Sequence, residues 1–407
     1  MSPVRSVPMK LHALLDSAAN DRIVAAGLDP AGVEQLLQRA TQEVETAGLP
    51  AAQLALARDG AVVFSADFGA SKPEQLYSVF SATKAITAAA VWLLLDSGQL
   101  AEDERVSDII PAFATHGKDT VTVEQLLTHT AGFPHAPFRP LDWLDPDRRN
   151  ARWQQWRLTW TPGSRYEYHP TSAMWVLAEI IERRSGRAFS QFVREEVLGP
   201  LHLVDLYLGS PLPAHERVVP CQLVGVALTP HDYARLGIPP PLLTEVTEDA
   251  IQSFNDPAIR QVGIPGGGAV TSASELARFW QAVLAGGLQG RVLWSDAQRA
   301  SVRRVRTGDF RDPLFNRLAN RGLGIVVAGD ETRTWRGFGR GNSALALGHN
   351  GAGGQIAWAD PATGVSFVFL TGGHDRNSVR EAARGVALST LAADLCRQAS
   401  RDQASRD

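Results

Sequence analysis

Cysteine and lysine are both scarce in this 407-residue chain. Only Cys221 and Cys396 occur, which leaves no disulfide framework and no cysteine-based zinc site, and both read as plain buried thiols. Lysine occurs four times, at Lys10, Lys72, Lys84 and Lys118, so arginine supplies 36 of the 40 basic residues. A large excess of either charge is also missing, with 40 basic against 43 acidic residues. The net charge is -3, with no basic field to make nucleic acid or an anionic membrane the expected partner. No apolar run is long enough to cross a bilayer; the longest, AAAVWLLL, is far too short. The N-terminal stretch MSPVRSVPMKLHALLDSAANDR lacks the apolar core of a secretory signal, so a cytoplasmic location is expected. The ten histidines show neither His-x-His nor His-Glu-x-x-His spacing. Gly-x-Ser-x-Gly is absent, since GNSAL at 341–345 lacks the second glycine. PGGGAV at 265–270 lacks the Gly-Lys-Ser/Thr of a phosphate loop.

What is present suits a globular protein with a real core: 44% hydrophobic and 20% charged residues. Residues 33–48 carry apolar positions at helical spacing and end on Gly48. Two β-rich runs flank Asp59-Gly60, a hairpin signal. A helix is expected from the SVFSATKAIT stretch to about Asp96, closed by Gly98. From about 105 to 260 helical patterns dominate and strand signals are sparse. After 262, Ser272 and Glu275 form a capping-box pattern ahead of a helix. A second hairpin turns at Asp360-Pro361 and Gly364, and a last helix is expected from about 376 to 398.

With hairpins at both ends and helices between, the simplest packing is α+β. Residues 33–104 and 262–398 would form one lobe around an antiparallel sheet flanked by helices. Residues 105–261 would be an inserted, mostly helical lobe, with the active site between the two. An N-terminal extension, 1–32, and a frayed polar tail, 399–407, complete the expected division.

The chemistry gathers at SVFSATKAIT. Ser81 and Lys84 are three apart, so they share a helix face and Oγ can meet Nζ. Serine is a weak nucleophile without a neighbouring base. Lysine serves as one when burial favours its neutral form, which arginine does not offer. A serine at a helix N-terminus also presents its own N–H to an oxyanion. The alternative is a capping Ser81 and a Lys84 that snorkels to the surface.

Further blocks follow in order: VTVEQLLTHTAGFP, PGSRYEYHPTSAMWVLAEIIERRSG, GGGAVTSASELARFWQAVLAGG and LGHNGAGGQIAWADP. Together with the Ser-x-x-Lys block they resemble the serine β-lactamase and penicillin-binding-protein superfamily over roughly residues 35 to 395. The likeness is to its class C β-lactamase-like branch, and most of all to family VIII carboxylesterases. The resemblance implies a β-lactamase-like (DD-peptidase-like) fold. It implies Ser81 as acylated nucleophile, Lys84 as its base partner and Tyr168 as the tyrosine of Tyr-x-Asn. His349 and Gly351 match the His-x-Gly form of Lys-Thr-Gly. The N–H groups of Ser81 and Ala352 would form the oxyanion hole. No metal or organic cofactor is implied.

The chain departs from that pattern where Asn would stand. Pro170 has no side-chain amide. With no lysine at 349, a substrate carboxylate would meet His349, which attracts it only when charged. Both departures favour a small-molecule carboxylic ester, of short to medium acyl chain, over a β-lactam or peptide. A β-lactamase or D-Ala-D-Ala-directed peptidase, an acyltransferase and a non-catalytic binding homologue are the alternatives, and a homo-oligomer is possible. Tyr166 is the other register for the tyrosine, and His169 a rival proton carrier. His129 reads as a cap on the C-terminus of the helix before it. Trp153, Trp156 and Trp160 share helical spacing, and either pack a core or form an aromatic wall over the acyl cleft, with Trp153 and Trp156 as substrate-binding candidates.

Overall fold

The computed structural model describes residues 15–238, 240 and 246–404. In chain order the elements that matter here begin with helices α1 (Ser17–Ala25) and α2 (Pro30–Ala47). Strands β1 (Ala51–Arg58), β2 (Ala61–Gly69) and β3 (Tyr77–Ser78) lead to helix α3 (Thr83–Asp96). Helices α4 (Val123–Leu127), α5 (Pro146–Gln155) and α6 (Ser172–Ser185) follow. Next come β4 (Leu206–Leu208), β5 (Ala269–Thr271) and α7 (Ala273–Ala285). A small hairpin, β6 (Arg311–Asp312) and β7 (Arg317–Leu318), precedes β8 (Val326–Val327) and β9 (Leu347–Gly348). The chain closes with β10 (Ile356–Asp360), β11 (Val365–Thr371) and α8 (Ser378–Ala404).

Six strands form one antiparallel sheet in the order β8-β9-β10-β11-β1-β2, so both ends of the chain meet where β1 pairs with β11. Strand periodicity sorts the residues to two faces. Leu54, Leu56, Ile356, Trp358, Phe367 and Phe369 face one core, shared with α2 and α8. Ala55, Ala57, Ala357 and Ala359 face the other, with Phe279 and Trp280 of α7. Small strand residues on that side leave room for the large ones on the helix. Gln281 fixes α7 to both hairpins. Its Nε2 donates to Ala57 O (3.0 Å), Gly364 O (2.9 Å) and Ser366 Oγ (3.0 Å), and its Oε1 accepts from Gly60 N (3.1 Å).

The hairpin turns stand where the sequence puts them: Asp59 and Gly60 both take positive φ, and β10 hands over to β11 across residues 361–364. Some local details differ. Ser272 caps α7, its Oγ accepting from Glu275 N (3.2 Å), but the Glu275 carboxylate turns to Arg278 instead of back to the cap. The capping box is therefore half made. The last helix runs past 398 to Ala404, so the tail expected to fray from 399 is helical as far as it is described. The expected N-terminal extension is described only from residue 15, and there it carries α1, whose Ile23 is buried in the sheet's outer core.

Candidate functional site

Ser81 is placed by a forced turn. β3 pairs with β5, and the Val79 N–H donates to Ala269 O (3.0 Å). Phe80 then takes φ 44°, a left-handed conformation that costs a non-glycine residue about 1–2 kcal/mol. Packing holds it there, since Phe80 is buried edge-on against Phe254 at 5.2 Å. Phe80–Ala82 form a 3-10 turn that runs straight into α3. Ser81 thus sits one turn earlier than the helix proper, at its entrance.

Lys84 is fully buried on α3. Its Nζ donates to Ser81 Oγ (3.1 Å) and to Gly266 O (2.8 Å). The carbonyl belongs to the PGGGA loop, which α3 also grips through Thr87 Oγ1 to Pro265 O (2.7 Å) and Ala269 N to Thr83 Oγ1 (3.0 Å). A side chain at Gly268 would come within 2.4 Å of Ile264 N. The glycines let this loop pack tightly beneath the lysine. Snorkelling is ruled out for Lys84.

Tyr168 Oη lies 3.0 Å from Ser81 Oγ, and Lys84 Nζ is 5.0 Å from the Tyr168 ring centre. Tyr166 points elsewhere. It is buried, its phenol accepts from Arg321 Nε (3.0 Å), and burial raises its ionisation above the usual range. His169 is locked as a neutral ring. Its Nδ1 is 2.6 Å from Glu167 O and its Nε2 accepts from Phe133 N (3.2 Å). Burial holds it down at about 3, so both nitrogens are committed to the backbone and neither is left for proton transfer. His129, expected as a cap on the helix before it, packs inside and serves the backbone of His169. It is buried at φ 58°, burial keeps it well below the usual histidine range, and its Nδ1 accepts from His169 N (3.3 Å). The two histidines frame the backbone that aims Tyr168.

β9 delivers the third wall. His349 is buried, with Nδ1 2.9 Å from Asn350 O and its ring 6.1 Å from that of Tyr168. Burial first, then the neighbouring Arg321 and Lys84, hold it well below the usual range, so it is neutral. Its Nε2 is buried with no hydrogen-bond partner among the described residues. At Gly351 a Cβ would fall 2.1 Å from Val79 O. Only glycine lets this edge approach the chain ahead of Ser81. Ala352 packs on the same small cluster as Phe80.

These residues share a cavity of about 500 Å³, lined by Ser81, Tyr168, Pro170, His349, Gly351 and Ala352 on its inner side. Trp153 and Trp156 are not among its lining residues, so of the two expected readings core packing holds, and the aromatic wall, with both as substrate-binding residues, is corrected. The helix ends at Gln155, so Trp156 has already turned to extended geometry and the spacing no longer describes one face. Both are buried: Trp153 stacks on Phe138 (5.1 Å), and Trp156 Nε1 donates to Pro137 O (2.9 Å). Arg321, by contrast, lines the cavity with its guanidinium 5.2 Å from the Tyr168 ring. It lies 153 residues from Tyr168 in no recognisable motif, so only the folded chain reveals it. Among the described residues no group of three His, Cys, Asp or Glu is arranged to hold a metal ion, and no helix is long and apolar enough to cross a membrane.

Comparison with known proteins finds relatives over most of the chain. An Esterase/beta-lactamase LipL of Mycobacterium tuberculosis is 29% identical over 326 residues, 77% of this chain and 71% of that protein. An Escherichia coli protein with the unproven designation D-alanyl-D-alanine carboxypeptidase is 26% identical over 377 residues, 85% of this chain and 83% of that protein. The crystal structure of a penicillin-binding protein homologue from Caulobacter crescentus superposes with a TM-score of 0.73 at 28% identity, covering 90% of this chain and 98% of the other. The β-lactamase family model matches residues 33–392, a span that contains every residue of the cavity's inner side. With that match added to the sheet and the site, the chain belongs to the β-lactamase family.

Proposed function

We propose that this protein is a serine hydrolase that cleaves carboxylic esters through an acyl-enzyme on Ser81. The observation that carries the reading is the convergence of Lys84 Nζ and Tyr168 Oη on Ser81 Oγ, at 3.1 and 3.0 Å, beside a cavity that Ser81 and Tyr168 line. Ser81 Oγ attacks the ester carbonyl as its proton passes to the Tyr168–Lys84 pair. The N–H groups of Ser81 and Ala352 hold the oxygen that becomes negative. Collapse breaks the bond to the alkoxy oxygen, and the pair returns the proton to the departing alcohol. Water then attacks the acyl-enzyme, gives its proton to the same pair, and frees the acid as Ser81 regains its hydrogen.

Two features favour an ester over an amide. Pro170, a lining residue, offers no side-chain amide to a peptide-like substrate. His349, being neutral, lacks the charge that would hold a substrate carboxylate. The name of the LipL relative joins esterase and β-lactamase, and that of the Escherichia coli relative points to a peptidase, so the test sets these substrates side by side. A p-nitrophenyl ester series from acetate to laurate is assayed beside a chromogenic cephalosporin and a D-Ala-D-Ala peptide. Ester turnover well above both others is expected. Equal or faster turnover of the cephalosporin or the peptide would overturn the ester assignment.

A further inference from the structure

The outer side of the cavity is unlike the inner one. It is built by the β6–β7 hairpin and the short 3-10 turn Arg333–Arg336. Phe315, in the hairpin loop, is 38% exposed, and Trp335, on the turn, is 49% exposed. Among the described residues no other phenylalanine or tryptophan is as exposed. Their rings stand 5.5 Å apart and tilted by 48°, with Leu314 and Leu318 beside them. Exposed apolar surface at the rim of a cavity marks a surface meant to be covered.

The wall is rigid. The loop is closed by Asn316 N to Asp312 O (2.8 Å) and Leu314 N to Asp312 Oδ1 (2.8 Å). Arg336 joins the two pieces, with Nη1 donating to Leu318 O (2.9 Å) in the hairpin and Nη2 to Asp330 Oδ1 (2.8 Å) behind the turn. Arg317 lies over the Trp335 ring at 5.6 Å. The aromatics thus stand exposed on segments that are hydrogen-bonded to each other, an arrangement that lowers the ordering cost of binding.

We infer that Phe315 and Trp335 form the subsite for the apolar arm of the substrate, selecting esters that carry an alkyl chain over acetate-sized ones. The inference rests on the esterase reading and deepens it. The arm is the acyl chain or the alkyl chain of the alcohol, and two series separate them. One compares p-nitrophenyl octanoate with acetate; the other compares octyl with methyl butyrate by titrating released acid. In Trp335→Ala the long-to-short ratio of kcat/KM is expected to fall about tenfold in at least one series, as fits the loss of a ring's worth of apolar contact. Phe315→Ala should lower the same ratio, and Trp335→Phe should restore most of it. Leu345→Ala, at an exposed leucine outside the cavity lining, should keep the ratio of the unaltered enzyme. Unchanged ratios in both series for Trp335→Ala and Phe315→Ala, in an active enzyme, would overturn the subsite alone. An unaltered enzyme that turns over none of the esters would overturn the esterase reading, and the subsite with it.

Discussion

Lys84 and Lys118 are both fully buried, yet they do different work. Lys118 Nζ is spent on Thr115 O (2.7 Å), Thr115 Oγ1 (2.9 Å) and Trp156 O (2.6 Å), and stitches the loop after α5 to an earlier turn. Lys84 Nζ reaches a carbonyl and the hydroxyl of Ser81. A buried lysine is therefore no signal by itself; the serine three residues before it is. The tyrosines make a similar pair. Tyr168→Phe is expected to lower kcat on the best ester by about 10²–10⁴-fold, the usual worth of positioned proton transfer. Tyr166→Phe removes only the bond from Arg321 and should cost about 1 kcal/mol of stability with kcat little changed. The reverse ranking in steady-state kinetics would move the catalytic role to Tyr166. Ser81, Lys84, Tyr168, His349 and Gly351 were legible because short motifs carry them. Arg321 and Trp335 were not, since distant segments bring them to the cavity.

At the scale of elements, the hairpins and long helices could be read from period and turn residues, because strand alternation and glycine turns are local. The tryptophans could not. Helical spacing predicts a shared face only while the helix lasts, and α5 stops between Trp153 and Trp156. Trp153→Ala should then cost about 3–5 kcal/mol of stability and lower activity alike on every ester, without altering chain-length preference. Denaturant melts and the ester series check it together; a changed preference at native stability would restore the wall reading. Gln281→Leu leaves the carbonyls of Ala57 and Gly364 and the N–H of Gly60 without their partner, and should cost about 2–3 kcal/mol. Chemical denaturation measures the loss, and a variant as stable as the parent would remove Gln281 from its role in joining α7 to the sheet.

At the scale of the molecule, three buried histidines, His129, His169 and His349, tie stability to pH. Burial lowers each below the usual value of about 6.5, so the folded state holds fewer protons than the unfolded chain as pH falls. Their contribution is present above 6.5 and is lost on acidification, for His169 down to about 3. Glu381 acts in the opposite sense. Burial pushes it up to about 7, so its contribution is full below about 4.5 and lost as pH rises through 7. The stability of His169→Asn should change less steeply between pH 6.5 and 4 than that of the parent, whatever its absolute level. Melting curves across that range test this, and equal slopes would show that His169 is not held neutral.

The proposed chemistry turns on one atom, Ser81 Oγ. Treating the full chain with a fluorophosphonate and mapping the adduct by peptide mass spectrometry tests it most directly. One adduct per chain on the peptide containing Ser81, absent in Ser81→Ala, is predicted. An adduct on another residue, or none in a preparation that hydrolyses esters, would contradict it.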